Sequence, residues 1–170
     1  MTYTIHATRK LTDRLHTTPQ PAVAASGVLG NWYANLLPGR SPLVLFVDTT
    51  TMYPVFVRCA PARTLLARFP TEFATVLNRI GIDPRFVHTE TAAMVDPVVA
   101  KTVDRQMIGV LNELAFMART CLDHGHDPSD LTGLSVIVST TLLSPLYRHR
   151  DGAGSPDRAL TAVAANTLAG

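Results

Sequence analysis

Strand-patterned segments followed by helix-patterned ones predict an α+β domain: a small antiparallel meander sheet packed against two or three main helices. Three observations carry this expectation. Residues 2–7 alternate Tyr3, Ile5 and Ala7 against Thr2, Thr4 and His6, the period of a half-buried strand. Two apolar runs, Trp32–Leu37 and Leu43–Val47, flank a Pro38-Gly39 turn signal. From Val103 to Leu122, apolar residues recur every three to four positions, the period of an amphipathic helix.

In chain order, the first strand is followed by a short helix over Arg9–His16, with Leu11 and Leu15 on one side. Thr17–Gly30, rich in Thr, Pro, Ala and Gly, is a connecting loop. The next two strands form a hairpin about Pro38-Gly39, a pair suited to the centre of a type II turn. A third strand lies within Thr51–Cys59, where Pro54 lacks an N–H and so asks for an edge or a bulge. Pro61–Ile80 is helical, kinked or divided at Pro70 and stopped at Gly81. Arg85–His88 reads as a short strand and Thr91–Val95 as a helical turn before Pro97. Thr102 is the expected N-cap of the long helix, which ends in the stop signals of residues 123–128. Leu134–Leu143 suits a strand or a buried helix. Residues 1–147 are expected to form one α+β domain, and residues 148–170 a flexible linker with an Ala-rich, loosely attached helix.

Composition bounds the function classes. The 170 residues are 46% hydrophobic and 16% charged, which excludes wholesale disorder. No apolar run approaches the roughly 20 residues of a membrane-spanning helix, so no membrane partner is expected. The first sixteen residues have no apolar core of a secretory leader, which places the expected setting in the cytosol. Cys59 and Cys121 stand apart in apolar surroundings, as two free thiols of a reducing compartment. Residues 1–85 hold 9 basic and 4 acidic groups, a balance of +5, while residues 86–170 hold 6 and 9, a balance of −3. The basic side chains are scattered and lack interleaved aromatics, so nucleic acid is only weakly indicated as a partner.

Few residues carry chemistry by their spacing. Arg105, Gly109, Asn112 and Phe116 fall on one stripe of the long helix, opposite its apolar face. A glycine inside a helix costs about 1 kcal/mol relative to alanine, so close approach of a ligand or of another chain segment is the expectation at Gly109. His124, His126 and Asp127, with His149 further on, lack the i,i+4 spacing of a helical zinc site, and no metal is assigned. His6 is a candidate acid or base without an evident partner, and Lys101 a candidate anion contact. No phosphate-binding glycine loop and no nucleophile elbow is present, so no cofactor is assigned.

The segments 5–11, 29–36, which contains Trp32, 43–51 and 100–113 together resemble a family of small bacterial proteins of unknown function. The resemblance spans roughly residues 3–122, with a signature of Arg105, Gly109 and an Asn-acid pair at Asn112 and Glu113. Gln106 stands where the family usually has a small residue. The resemblance implies a cytosolic domain carried by plasmids or transposons, and no activity to transfer. Trp32 joins Arg105, Gly109, Asn112, Lys101 and His6 as candidate ligand or partner contacts; no residue is assigned a catalytic role. Three function classes follow. The first is a non-catalytic binding or accessory module that contacts a protein partner or a second copy of itself. The second is an enzyme for a small anionic substrate, with Arg105 and Lys101 holding charge and His6 as base. The third is a nucleic-acid accessory protein.

Overall fold

A computed structural model describes residues 1–148 and 152–169. Among these residues five strands are formed: β1 (Thr2–Ala7), β2 (Trp32–Leu37), β3 (Leu43–Asp48), β4 (Pro54–Arg58) and β5 (Asp96–Lys101). Seven helices accompany them: α1 (Arg9–Leu15), α2 (Leu65–Arg79), α3 (Pro84–Ala93), α4 (Arg105–Asp123), α5 (Leu131–Val138), α6 (Ser144–Arg148) and α7 (Pro156–Ala169). A short 3-10 turn, Ala62–Thr64, leads into α2. The fold is α+β, with more helices than the two or three expected.

The sheet is mixed, in the order β4-β3-β2-β1-β5, and not a pure antiparallel meander. Strands β2, β3 and β4 do pair antiparallel as the sequence predicts. β1 runs parallel to both neighbours, matching Ile5 to Trp32 on β2 and His6 to Ala100 on β5. Parallel pairing of β1 and β2 needs a crossover, and α1 with its following loop supplies one. Gly39 has no positive φ, so the β2–β3 connection is a longer loop and not a type II turn.

β5 was not expected, because Pro97 reads as a strand breaker. It is tolerated because β5 is an edge strand. The Val99 carbonyl points away from β1 and accepts the Gln20 N–H at 2.8 Å. Pro97, two residues earlier, shares that outward orientation, so its missing N–H falls on the free side. Pro54 opens the opposite edge strand, β4, where the neighbouring Phe56 N–H is capped at 3.0 Å by Ser135 Oγ of α5.

Helices cover both faces of the sheet and create two cores. Strand β3 divides them by simple alternation: Val44 and Phe46 face one, Leu43, Leu45 and Val47 the other. The first core joins α1, α2 and α3 to the sheet through Leu11, Phe69, Phe73 and Phe86. Trp32 is its centre, edge-on to Phe69 at 4.8 Å and to Phe73 at 5.2 Å, and Phe46 stacks on Phe69 at 4.0 Å. The second core holds α4 and α5 through Met107, Leu111, Leu114 and Leu134. Leu160 of α7 is fully buried in the first core, so the Ala-rich segment packs onto the body of the fold.

Local capping explains the other departures. Arg85–His88 belongs to α3 because Asp83 caps it, accepting from the Arg85 N–H at 2.8 Å, with Pro84 in the first turn. Residues 134–138 lie in α5, where the Asp130 carboxylate accepts from the Gly133 N–H at 2.8 Å. β5 consumes the chain through Lys101, so α4 starts later than expected and is capped by Asp104 instead of Thr102. Phe69→Ala is expected to cost about 3–5 kcal/mol on chemical denaturation. Phe116→Ala, at a side chain that is 68% exposed, is expected to change stability by no more than about 0.5 kcal/mol.

Candidate functional site

β1 is buried on both faces, so its polar side chains depend on partners inside the protein, which Thr4 and His6 find and the Tyr3 hydroxyl does not. Thr4 Oγ1 donates to the Val23 carbonyl and accepts the Val23 N–H, both at 2.8 Å. Asn31 bridges the same pair, with Oδ1 accepting from the Thr4 N–H at 3.0 Å and Nδ2 donating to the Val23 carbonyl at 3.0 Å. These contacts strap the loop between α1 and β2 onto the sheet. Its far end is held by Glu90 of α3, whose buried carboxylate accepts from the N–H groups of Val28 at 2.8 Å and Leu29 at 3.2 Å. Gly27 permits this approach, since a Cβ there would lie 2.7 Å from Glu90 Oε2.

His6 faces the α4 side of the sheet, with its ring stacked on Tyr33 of β2 at 4.6 Å. Its Nδ1 lies 2.8 Å from the Lys101 carbonyl of β5. A carbonyl only accepts, so Nδ1 carries a proton, and in the neutral form of the ring the lone pair sits on Nε2. The ring is 8% exposed. It forms part of the wall of an open cleft of about 430 Å³ that is also lined by Asn31, Tyr33, Thr49, Asp104 and Gln106. Burial, reinforced by the negative charge of Asp104, holds the Tyr33 phenol above its ordinary pKa, against a smaller opposing effect of the Asp104 backbone. Tyr33 therefore keeps its proton and is a hydrogen-bond donor at neutral pH. Asp104 is committed to the helix, accepting from the N–H groups of Gln106 at 2.7 Å and Met107 at 3.3 Å.

His6 also lines a second cleft, of about 380 Å³, with Gln20, Ala100 and Lys101. Beyond the carboxyl ends of β1 and β5 lies a third, of about 430 Å³, lined by Arg9, Thr12, Lys101 and Thr102. The helices that follow these two parallel strands leave to opposite faces: Leu11 of α1 enters the first core and Met107 of α4 the second. Such a divergence opens a crevice at the strand ends, the place where open α/β sheets hold ligands.

The stripe on α4 has a different setting. Arg105, Gly109 and Asn112 are all exposed, and nothing lies within 4 Å of the position a Cβ would take at Gly109. Among the described residues no other segment approaches Gly109, so of the two expectations at this glycine the approach of a ligand is the one left open. Arg105 lines none of the three clefts around β1, so it does not converge with His6, whereas Lys101 does. Trp32 is a core residue, 1% exposed. His124 and His126 bond separately to the carbonyls of Thr120 and Asp130, and His149 lies outside the described residues. Among the described residues, no three His, Cys, Asp or Glu side chains are grouped to hold a metal ion.

Several cleft residues were not singled out from sequence. Tyr33 meets His6 only through the β1–β2 register, which no local pattern specifies. Asp104 was accessible in principle, as an Asp two residues before the first helical backbone donor it caps. Thr49 reaches the cleft because Asp48 folds the turn after β3. The fully buried Asp48 carboxylate accepts from the N–H groups of Thr50 and Tyr53 at 2.9 Å, from the Thr51 N–H, and from Thr51 Oγ1 at 2.7 Å. Burial pushes its pKa up to about 6, against the opposing pull of these donors.

A family model, Domain of unknown function (DUF6933), matches residues 4–159. The chain belongs to this family. The matched span contains all five strands except the first two residues of β1, the strapped loop and every residue named for the His6 cleft. It also runs into the start of α7. No curated protein matches the chain. No helix among the described residues is long and apolar enough to cross a membrane.

Two predictions arise here. Glu90→Ala leaves the Val28 and Leu29 N–H groups without their acceptor, and is expected to destabilise by about 1.5–3 kcal/mol with faster amide exchange at those two residues. The raised folded pKa of Asp48 means that the folded state holds this proton more tightly than the unfolded chain does. Its contribution is fully present below about pH 4 and is lost as pH rises through about 6, an effect of about 3 kcal/mol. Urea denaturation across this window is expected to give a slope of that sign, which Asp48→Asn flattens.

Proposed function

We propose that the domain is a non-catalytic binding module that takes a small polar ligand in the cleft beside the 17–31 loop, with His6 as its central contact. The observation that carries this reading is the fixed imidazole. Nδ1 is engaged by the Lys101 carbonyl, the ring is braced by Tyr33, and Nε2 is left as an acceptor on the cleft wall. Around it, the Tyr33 O–H, the Thr49 hydroxyl and the Asn31 and Gln106 amides supply neutral donors and acceptors, a set suited to a polar molecule with several hydrogen-bonding groups. The setting we assign, following the resemblance, is the cytosol of a bacterium, with a mobile element as carrier.

Acid–base catalysis is a second reading, favoured by the Nε2 lone pair and the Tyr33 O–H sharing one cleft. Arg105 is not part of it, and a substrate anion would have to rely on Lys101. Nucleic-acid binding draws less support. Arg79 and Arg85 are paired with Asp130 and Asp83, and Arg68 is tied to the carbonyls of Arg58 and Ala60, so the basic half offers no continuous stripe.

The test is a thermal-shift and NMR screen of small carboxylates, amides, polyols and nucleosides against the wild type and His6→Gln. A binder is expected to move the His6 ring resonances and to lose at least about tenfold in affinity in the variant. Binders that ignore the substitution would refute the reading. Turnover of a bound molecule by the wild type, abolished by His6→Gln, would move the assignment to catalysis.

A further inference from the structure

Far from His6, at the other end of the β2–β3 hairpin, lies a cavity of about 400 Å³ between that hairpin and the C-terminal half of α4. Its lining is mostly apolar, with Leu37 and Leu43 from the strands and Ala115, Ala118 and Leu122 from the helix. The two alanines matter, because a larger side chain on that helical face would fill the space. Arg40, Arg58 and Arg119 also line it, against a single acidic group, Asp123. These arginines come from three separate elements: the hairpin loop, the end of β4 and α4.

None of the three forms an ion pair among the described residues, although Asp123 stands one helical turn beyond Arg119. Arg58 is moreover held in place. Its Nη2 donates to the Pro128 carbonyl at 2.6 Å, which fixes the guanidinium at the cavity and leaves most of its N–H groups unused. A concave apolar surface bordered by unpaired guanidinium groups is complementary to a molecule with a hydrocarbon body and one anionic head. The volume is that of a small-molecule site.

We propose that this cavity is a second binding site, for a small amphiphilic carboxylate whose chain lies on Leu37, Ala115 and Leu122 and whose head meets Arg58 and Arg119. It is independent of the His6 cleft, with which it shares no residue.

The probe is octanoate, followed by two-dimensional amide NMR on the full chain. Butyrate keeps the charge and shortens the chain, and octanamide keeps the chain and removes the charge. Octanoate is expected to shift the amides of residues 37–43 and 115–123, with butyrate and octanamide each at least about tenfold weaker. Arg119→Gln, at an exposed position, is expected to weaken octanoate about tenfold without altering the melting temperature. Ala115→Leu, which fills the cavity, is expected to abolish binding while His6 and its neighbours keep their resonances. Shifts scattered over the surface or centred on another cleft would overturn the proposal, as would equal affinity for octanamide or indifference to Arg119→Gln. Should Ala115→Leu fail to fold, Arg119→Gln and the two control ligands decide the matter alone.

Discussion

A strand covered on both faces hides its polar groups from water; on β1 the Tyr3 hydroxyl is buried without a partner among the described residues, while Thr4 and His6 are both met inside the protein. Much of the structure follows from how they are satisfied. Thr4 is met by the backbone of Val23, which draws a long, glycine- and proline-rich connection down onto the sheet. His6 is met by the Lys101 carbonyl, which is available only because β5 pairs in register beside β1. Together these three bonds order a loop, fix an imidazole tautomer and define the walls of the clefts on either side. Site and scaffold are not separable here.

The strength of the loop's attachment comes from contacts far apart in sequence. Glu90 on α3 grips Val28 and Leu29, Thr50 after β3 donates to the Val28 carbonyl at 3.1 Å, and Gln20 lies along β5. Elements that belong to different parts of the chain thus converge on one irregular segment. Burial of Asp48 adds to this, because its carboxylate organises the turn that carries Thr49 and Thr50. The donors of that turn offset only part of the cost of burying the carboxylate, and in return it joins Thr50, Thr51 and Tyr53 in one hydrogen-bonded turn.

Local chemistry made part of the fold legible. Period-two alternation gave β1, the apolar runs about Pro38-Gly39 gave β2 and β3 nearly to the residue, and the 3–4 spacing of α4 identified its buried face, because these patterns are imposed by what each element buries. Parallel pairing of β1 was not legible, since neither its register nor its direction leaves a mark within six residues. β5 was hidden by Pro97, whose tolerance depends on an edge position that only the assembled sheet defines. Of the candidate residues named from sequence, His6 and Lys101 lie side by side in the fold, while Trp32 lies in the core. The α4 stripe carries a true helical periodicity, but periodicity reports which residues share a face, not what lies opposite it. Tyr33 reaches the cleft through tertiary placement, which no spacing rule encodes.

The two prolines at the sheet margins have a consequence for self-association. Pro54 on β4 and Pro97 on β5 each remove an outward N–H, and each strand has a neighbouring outward group already taken, Phe56 by Ser135 and Val99 by Gln20. An incoming strand would find neither border able to continue the ladder of hydrogen bonds. The sheet is thus guarded against fibril-like growth at both ends. Any assembly of this chain must then be built from its helices and loops.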